Sequence, residues 1–168
     1  YHTFITGRHS RNLDSYMLDD EKIKYVFNDA SKDADISVVE GVMGLYDGIG
    51  IDLDNCTSSY TSKLLKAPVI LVINGKAMAA SSAAMVLGYK ELDKNVDIKG
   101  VIVNNVKTKS HYEIIKKAIE TYCNIEVLGY FPPNNEFSLE SRHLGLVPSV
   151  EIESLKTKFS NLADEIEK

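Results

Sequence analysis

Apolar residues recur along the chain with two periods, one typical of strands and one typical of helices. Four short runs rich in β-branched residues have the length of strands, and they span 36–40, 69–73, 99–104 and 126–129. Helical spacing of apolar residues predicts helices at 20–30, 58–66, 79–92, 111–123 and 150–168. The run at 69–73 is apolar throughout, which predicts a strand covered on both faces. The alternation predicts a three-layer α/β fold, in which a mostly parallel sheet lies between helices.

Composition and charge exclude several classes of protein. The 168 residues are 44% hydrophobic and 26% charged, which is typical of one globular domain. Lys and Arg number 19 and Asp and Glu number 24, so the net charge is −5 and a nucleic-acid partner is not expected. No apolar run approaches the roughly 20 residues of a membrane span, so we expect no membrane partner. Cys56 and Cys123 are too few for a disulfide framework and suit a reducing, cytoplasmic location.

The most informative stretch follows the first strand-like run. Residues 40–48 read EGVMGLYDG, a carboxylate followed by three glycines. Ligands of an open parallel sheet bind at the carboxyl ends of its strands, which is where Glu40 is expected. A carboxylate there is a candidate ligand for Mg²⁺, and glycines let backbone N–H groups approach an anion. An ordinary glycine turn with solvated acids explains the same pattern equally well.

Two further places carry candidate chemistry. Residues 6–14 read TGRHSRNLD, in which Arg8 and Arg11 could hold carboxylate or phosphate groups with paired hydrogen bonds. A solvated basic loop that caps the next helix is the simpler explanation of those residues. Asn104 ends the third strand-like run, where its amide could bind a nucleobase edge or hold a turn.

Four motifs together resemble the cobyrinic acid a,c-diamide synthase family. They follow that family's order and spacing from residue 1 to about 151, and they lie at 6–14, 40–48, 100–104 and 142–148. The resemblance implies a fold like that of dethiobiotin synthetase, a branch of the P-loop nucleotide-binding proteins. It also implies that residues 1–168 are a single, incomplete synthetase domain. The first strand and the phosphate-binding loop would precede it, and a glutaminase domain would follow it.

The resemblance also implies a reaction and roles for residues. The family is a ligase that forms C–N bonds and amidates the a and c carboxylates of cobyrinic acid through acyl phosphates, using ATP, Mg²⁺ and ammonia from glutamine. On the matching positions Glu40 and Asp47 would be catalytic, and Glu40 would be the metal ligand. The implied substrate-binding residues are Thr6, Arg8, Arg11 and Tyr46. The implied nucleotide-binding residues are Asn104, Tyr130, Phe131 and Pro132. Arg142 and His143 match the last motif without an implied role.

The sequence departs from the family pattern at some positions, and other functional assignments are compatible with it. Residues 74–80 read NGKAMAA where the family usually has Asp and Arg, and Asn105 stands where it often has Arg. Nickel-sirohydrochlorin and hydrogenobyrinic acid a,c-diamide synthases share the same motifs. A nucleotide-dependent scaffold that binds partner proteins would share the fold without needing the Arg8–Arg11 groove. We expect this chain alone to be inactive, because the phosphate-binding loop would be missing. We also expect it to self-associate, because the strand at 36–40 would lack its neighbour.

Overall fold

The computed structural model describes residues 1–134, 141–142, 145–146 and 155–167. It contains, in chain order, α1 His2–Thr6, α2 Asp20–Ser31, α3 Ser58–Leu65, β1 Val69–Asn74, α4 Ser81–Leu92, β2 Ile98–Asn104, α5 Lys109–Cys123, β3 Glu126–Phe131, β4 Ser141–Arg142, β5 Gly145–Leu146 and α6 Leu155–Ile166. These elements form two compact units. We call Leu13–Pro133 the sheet unit, and Tyr1–Asn12 with Asn134–Lys168 the terminal unit.

The sheet unit is built on three parallel strands in the order β1-β2-β3. The helices α4 and α5 connect successive strands and pack against each other. Beneath them lies the core, which contains Leu71, Ile73, Val101, Val103, Val127, Val86, Ile115 and Ile119. The predicted strands at 69–73, 99–104 and 126–129 and the parallel α/β class are confirmed.

Polar residues set the starts of three helices. Thr57 accepts a hydrogen bond from the Tyr60 backbone N–H at the start of α3. Thr108 caps α5 and Asp19 caps α2 in the same way. Each cap satisfies an N–H group that the first helical turn leaves without a partner. Of these three helices, only α5 follows a strand of the sheet, so the capped start lies after the carboxyl end of β2.

The predicted strand at 36–40 is wrong. These residues form no strand, and Ile36 and Val38 expose 83% and 91% of their surface. A β-strand requires a neighbouring strand that takes up its backbone N–H and C=O groups, and no described strand pairs with this segment. β-branched residues alone therefore did not produce a strand here.

The expectation that 69–73 is covered on both faces is also corrected. Leu71 and Ile73 are buried, whereas Ile70 and Val72 expose 43% and 62% of their surface. The reason is topological. When the strand order follows the chain order, two right-handed crossovers place both helices on the same side of the sheet. In the described part of the sheet unit, α4 and α5 therefore lie on one face of the sheet. The opposite face, which carries Ile70 and Val72, is not covered by a second layer of helices there.

The terminal unit contains short elements and one longer helix. The rings of Tyr1 and Phe4 lie 6.2 and 6.4 Å from the ring of Phe159 in α6. The strands β4 and β5 are antiparallel, with Ser141 opposite Leu146. The helix predicted at 150–168 is observed as Leu155–Ile166. Across the described residues, no helix is both long and apolar enough to cross a membrane.

Candidate functional site

The loop at 41–57 is closed by its own backbone. The Ile49 N–H donates to the Asn55 carbonyl at 2.9 Å, and the Ser59 N–H at the start of α3 donates to the Leu45 carbonyl at 2.9 Å. A Cβ atom on Gly48 would overlap the Asn55 carbonyl oxygen, so glycine is required at that position. The buried Leu45 side chain joins the core of the sheet unit. The sequence at 44–48 thus helps to fix the loop, although most residues of the 41–57 loop are exposed.

Glu40 and Asp47 lie on segments that both contact the first turn of α3. Gly41, next to Glu40, packs so closely on Ser58 that an added Cβ atom would lie 2.8 Å from the Ser58 hydroxyl oxygen. The Asp47 side chain folds over Gly44, where a Cβ atom would overlap a carboxylate oxygen. Both carboxylates are exposed. Among the described residues, no group of three acidic, histidine or cysteine side chains forms a metal site, so the metal role of Glu40 stays a prediction.

Tyr46 is tied to the sheet unit. Its hydroxyl donates to the Tyr89 carbonyl at 2.7 Å, and the two rings stack with their centroids 5.8 Å apart. Burial raises the pKa of the Tyr46 phenol, and the negative charge of Asp93 raises it further. The structure therefore gives Tyr46 an anchoring contact for the loop. Its predicted contact with substrate stays a prediction.

One ion-pair cluster at this loop was not predicted from the sequence. The Lys63 ammonium lies 2.5 Å from a carboxylate oxygen of Asp54 and 2.5 Å from one of Asp93. The Asp93 side chain is only 9% exposed. The hydrogen bond from Lys63 lowers the pKa of the Asp93 carboxyl, and the Asn95 backbone N–H lowers it further. The cluster joins the 41–57 loop, α3 and the end of α4.

The predicted nucleotide-binding residues meet at the carboxyl ends of β2 and β3. Asn104 is paired in register with Phe131, and Val103 with Tyr130. The Tyr130 ring stacks on Tyr112 with centroids 4.5 Å apart. Phe131 and Pro132 are half-buried, and Asn104 is exposed.

Hydrogen bonds also join the tips of all three strands. The Gly75 N–H donates to the Asn104 carbonyl at 2.7 Å, and the Val106 N–H donates to the Phe131 carbonyl at 3.1 Å. A Cβ atom on Gly75 would lie 2.5 Å from a methyl carbon of Val103, so the turn after β1 needs a glycine. The predicted nucleotide-binding residues thus stand on a connected edge of the sheet.

Two asparagines at this edge were missed as functional candidates. The Asn105 side-chain N–H donates to the Asn74 side-chain oxygen at 3.2 Å. Asn105 has a φ of 63°, in the left-handed region. Both residues had been noted as departures from the family pattern. That departure was the only feature of the sequence that singled these two residues out. Local spacing could not predict their contact, because they lie 31 positions apart.

Thr6, Arg8 and Arg11 lie in the terminal unit, unlike the other described candidates. All three are exposed. The Thr6 hydroxyl donates to the His2 carbonyl at 2.8 Å and accepts from the Arg8 backbone N–H at 3.2 Å. Arg11 donates to the Ser10 carbonyl at 3.2 Å. Their role in binding substrate stays a prediction.

Of the last motif, the structure describes only part. Arg142 belongs to β4 and is paired with Gly145. His143 lies outside the described residues.

A protein-family model described as an AAA domain matches residues 5–141. The chain belongs to this AAA-domain family. This AAA domain is 50% identical over 163 residues to the cobyrinate a,c-diamide synthase of Streptococcus sanguinis, which covers 96% of the chain and 36% of the relative. It is 49% identical over 165 residues to that of Listeria monocytogenes (98% and 36%) and 47% identical over 151 residues to that of Salmonella typhimurium (90% and 33%). No solved structure matches.

These matches confirm the resemblance and the α/β class with a P-loop-type domain. The AAA domain spans about a third of the length of these curated relatives. What their name states therefore describes proteins much longer than this chain.

Proposed function

We propose that this AAA domain is the nucleotide-dependent synthetase part of a cobyrinate a,c-diamide synthase. The observation that carries the proposal is 50% identity over 96% of the chain to a protein of that name. The reaction is amidation of the a and c carboxylates of cobyrinic acid, with ATP as the activating substrate and glutamine as the source of ammonia. A reaction that consumes ATP and glutamine places the protein in the cytoplasm.

The chemistry explains why carboxylates and cations are needed. A carboxylate is a poor electrophile, and transfer of a phosphoryl group from ATP turns it into an acyl phosphate that ammonia attacks. Phosphate then leaves as the C–N bond of the amide forms. Such a reaction depends mainly on positioning and on neutralising negative charge.

Mg²⁺ fits the acidic residues of this chain. Mg²⁺ commonly takes one or two protein carboxylates and fills its remaining positions with water and phosphate oxygens. Glu40 offers an exposed carboxylate beside the first turn of α3, and Asp47 offers another on the loop that contacts the same turn. Glu40 would hold the ion, which supplies positive charge to the phosphates. Asp47 would orient the carboxylate that is being activated.

The remaining candidates divide between the two substrates. Asn104, Tyr130, Phe131 and Pro132 would hold the adenine of ATP at the carboxyl ends of β2 and β3. Thr6, Arg8 and Arg11 would bind the peripheral carboxylates of cobyrinic acid, because guanidinium groups form charge-assisted pairs with carboxylates. Tyr46, whose side chain is half-buried against Tyr89, would contribute to substrate binding as well.

The full-length protein tests the proposal directly. It is incubated with cobyrinic acid, ATP, Mg²⁺ and glutamine, and the products are measured by mass spectrometry. We expect two mass changes, each corresponding to conversion of one carboxylate to an amide, and one ADP for each. Parallel reactions with hydrogenobyrinic acid and nickel sirohydrochlorin identify the preferred tetrapyrrole. ATP hydrolysis without amide formation on any of the three would contradict the proposal and support a partner-binding ATPase.

A further inference from the structure

The orientation of the Asn74 amide follows from one backbone contact. The Lys76 backbone N–H lies 3.1 Å from the Asn74 side-chain oxygen. A backbone N–H can only donate, so the atom facing it must be the oxygen. Asn105 contacts this same oxygen at 3.2 Å and must therefore present its NH₂ group.

The orientation of the Asn104 amide follows in the same way. The Asn105 backbone N–H lies 2.9 Å from the Asn104 side-chain oxygen. This bond fixes which end of the Asn104 amide is the oxygen, and the NH₂ group at the other end is the part that can donate to a ligand. The left-handed backbone of Asn105, with φ of 63°, belongs to the turn that makes this contact. Asparagine tolerates that conformation better than most residues with a side chain.

The hydrogen bond between Asn74 and Asn105 is expected to contribute little to the stability of the fold. The contact lies at the surface, with Asn74 exposed and Asn105 half-buried, and water competes for hydrogen bonds at such positions. The strand tips beside the contact are already joined by the Gly75 and Val106 backbone bonds. The side-chain contact instead restrains the residue whose N–H orients Asn104.

We propose that Asn105, held by Asn74, is a positioning residue that fixes the Asn104 amide with its NH₂ group toward the nucleobase and so favours adenine over guanine. The inference rests on the proposed function, in which Asn104 contacts the base of ATP. Adenine presents a ring nitrogen that accepts a hydrogen bond beside an amine that donates one. A fixed donor on Asn104 matches this ring nitrogen, whereas guanine carries an N–H donor at the corresponding ring position.

The test compares ATP with GTP, because their phosphates are identical and the ratio of their affinities reports on the base alone. Dissociation constants are measured by equilibrium titration of the full-length protein without cobyrinic acid. Asn105→Gly removes the side chain and keeps a residue suited to a positive φ. Asn74→Ala removes the partner and leaves Asn105 in place. For both variants we expect ATP binding to weaken about 5- to 10-fold and GTP binding to change much less.

The matched control is Asn124→Gly. Asn124 also has a positive φ, of 52°, but it ends α5 and lies before β3, away from the strand tips that carry Asn104. We expect this variant to keep the ATP-to-GTP ratio of the unmodified protein. The positioning role would be overturned if Asn105→Gly and Asn74→Ala kept that ratio as well, and the proposed function would then stand. If the unmodified protein bound neither nucleotide, both the inference and the proposed function would be wrong.

Discussion

The strands β1 to β3 and the stretch 36–57 belong to the same unit but use their apolar residues differently. In the first region Val101 and Val103 are completely buried, and so is Ile119 of the helix α5 that packs on these strands. In the second, Val38 and Ile51 are 91% and 100% exposed, and the stretch is held by hydrogen bonds and by two buried residues, Leu45 and Thr57. The stability of the unit therefore comes mainly from β1 to β3 and the two helices on them.

The two regions also differ in their proposed roles, since one supports the fold and the other carries the proposed catalytic residues. The proposed catalytic carboxylates, Glu40 and Asp47, both lie in the poorly buried stretch, where charged groups remain hydrated. The strands behind them supply a rigid support, which is the common arrangement for functional residues on loops. We therefore expect substitutions in the strands and their helices to change folding, and substitutions at 40–47 to change turnover.

The largest expected effect is on folding. Ile119→Ala should lower the free energy of unfolding by about 2–5 kcal/mol, because it removes a fully buried side chain from the core beneath α5. Urea unfolding of this chain measures the loss. Ile51→Ala is the matched control and should stay within about 0.5 kcal/mol of the unmodified chain, since Ile51 is fully exposed. Equal losses in the two variants would remove the proposed distinction between the regions.

A large effect on turnover is expected at Glu40. Glu40→Gln keeps the size of the side chain and removes the charge proposed to hold Mg²⁺. In the full-length protein we expect amidation to slow by about 100-fold or more, with an unchanged unfolding midpoint. Glu113→Gln on the exposed side of α5 controls for the loss of one negative charge. Normal turnover of Glu40→Gln at every Mg²⁺ concentration would exclude the metal role.

A smaller effect is expected where the two regions are joined by Lys63 and Asp93. The pKa of Asp93 lies below its ordinary value of 3.8 in the folded chain, chiefly because of the hydrogen bond from Lys63. The carboxylate therefore stabilises the fold above pH 3.8, and this contribution is lost as the pH falls through the lower, folded pKa.

Asp93→Asn tests this contribution. The variant should be less stable than the unmodified chain at neutral pH, and the two should converge below pH 3.8. Urea unfolding across that pH range measures the difference. A constant difference at all pH values would show that the charge of Asp93 contributes nothing and that only its shape matters.

The smallest expected effect concerns association of this chain by itself. The run around Val38 belongs to neither described sheet and exposes apolar side chains, which favour contact with a second copy. Light scattering over a dilution series should show dimers or larger species at high concentration. Val38→Lys should reduce them more than Tyr122→Lys, a matched change at an exposed site on α5. A chain that stays monomeric throughout would show that this run is not an interface.

The sequence predicted the positions of the strands better than it predicted the contacts at the sites. The runs at 69–73, 99–104 and 126–129 were predicted correctly because each pairs with the next apolar run along the chain. The run at 36–40 has the same composition, but composition does not specify a partner. Exposure of Ile70 and Val72 depends on the handedness of two crossovers, which periodicity within one strand does not contain.

Contacts between side chains that are distant in sequence could not be predicted either, because a local pattern does not specify a distant partner. Lys63 meets Asp54 and Asp93, which lie 9 and 30 positions away, and such pairs leave no local pattern. The placement of Asn104 beside Phe131 could be expected, because both end neighbouring parallel strands. The anchoring of Tyr46 on Tyr89 could not, since it depends on how the loop folds back over α4.

The strand order β1-β2-β3 also bears on how fast the sheet forms. Ile70 pairs with Gly100 and Val103 pairs with Tyr130, so each pairing closes a loop of about 30 residues that already contains its own helix. Folding rates rise as contacting residues lie closer in sequence. We therefore expect the segment from β1 to β3 to nucleate folding by itself. During synthesis, Val69–Asn74 therefore lacks its partner strand only for the time needed to translate one helix and one strand.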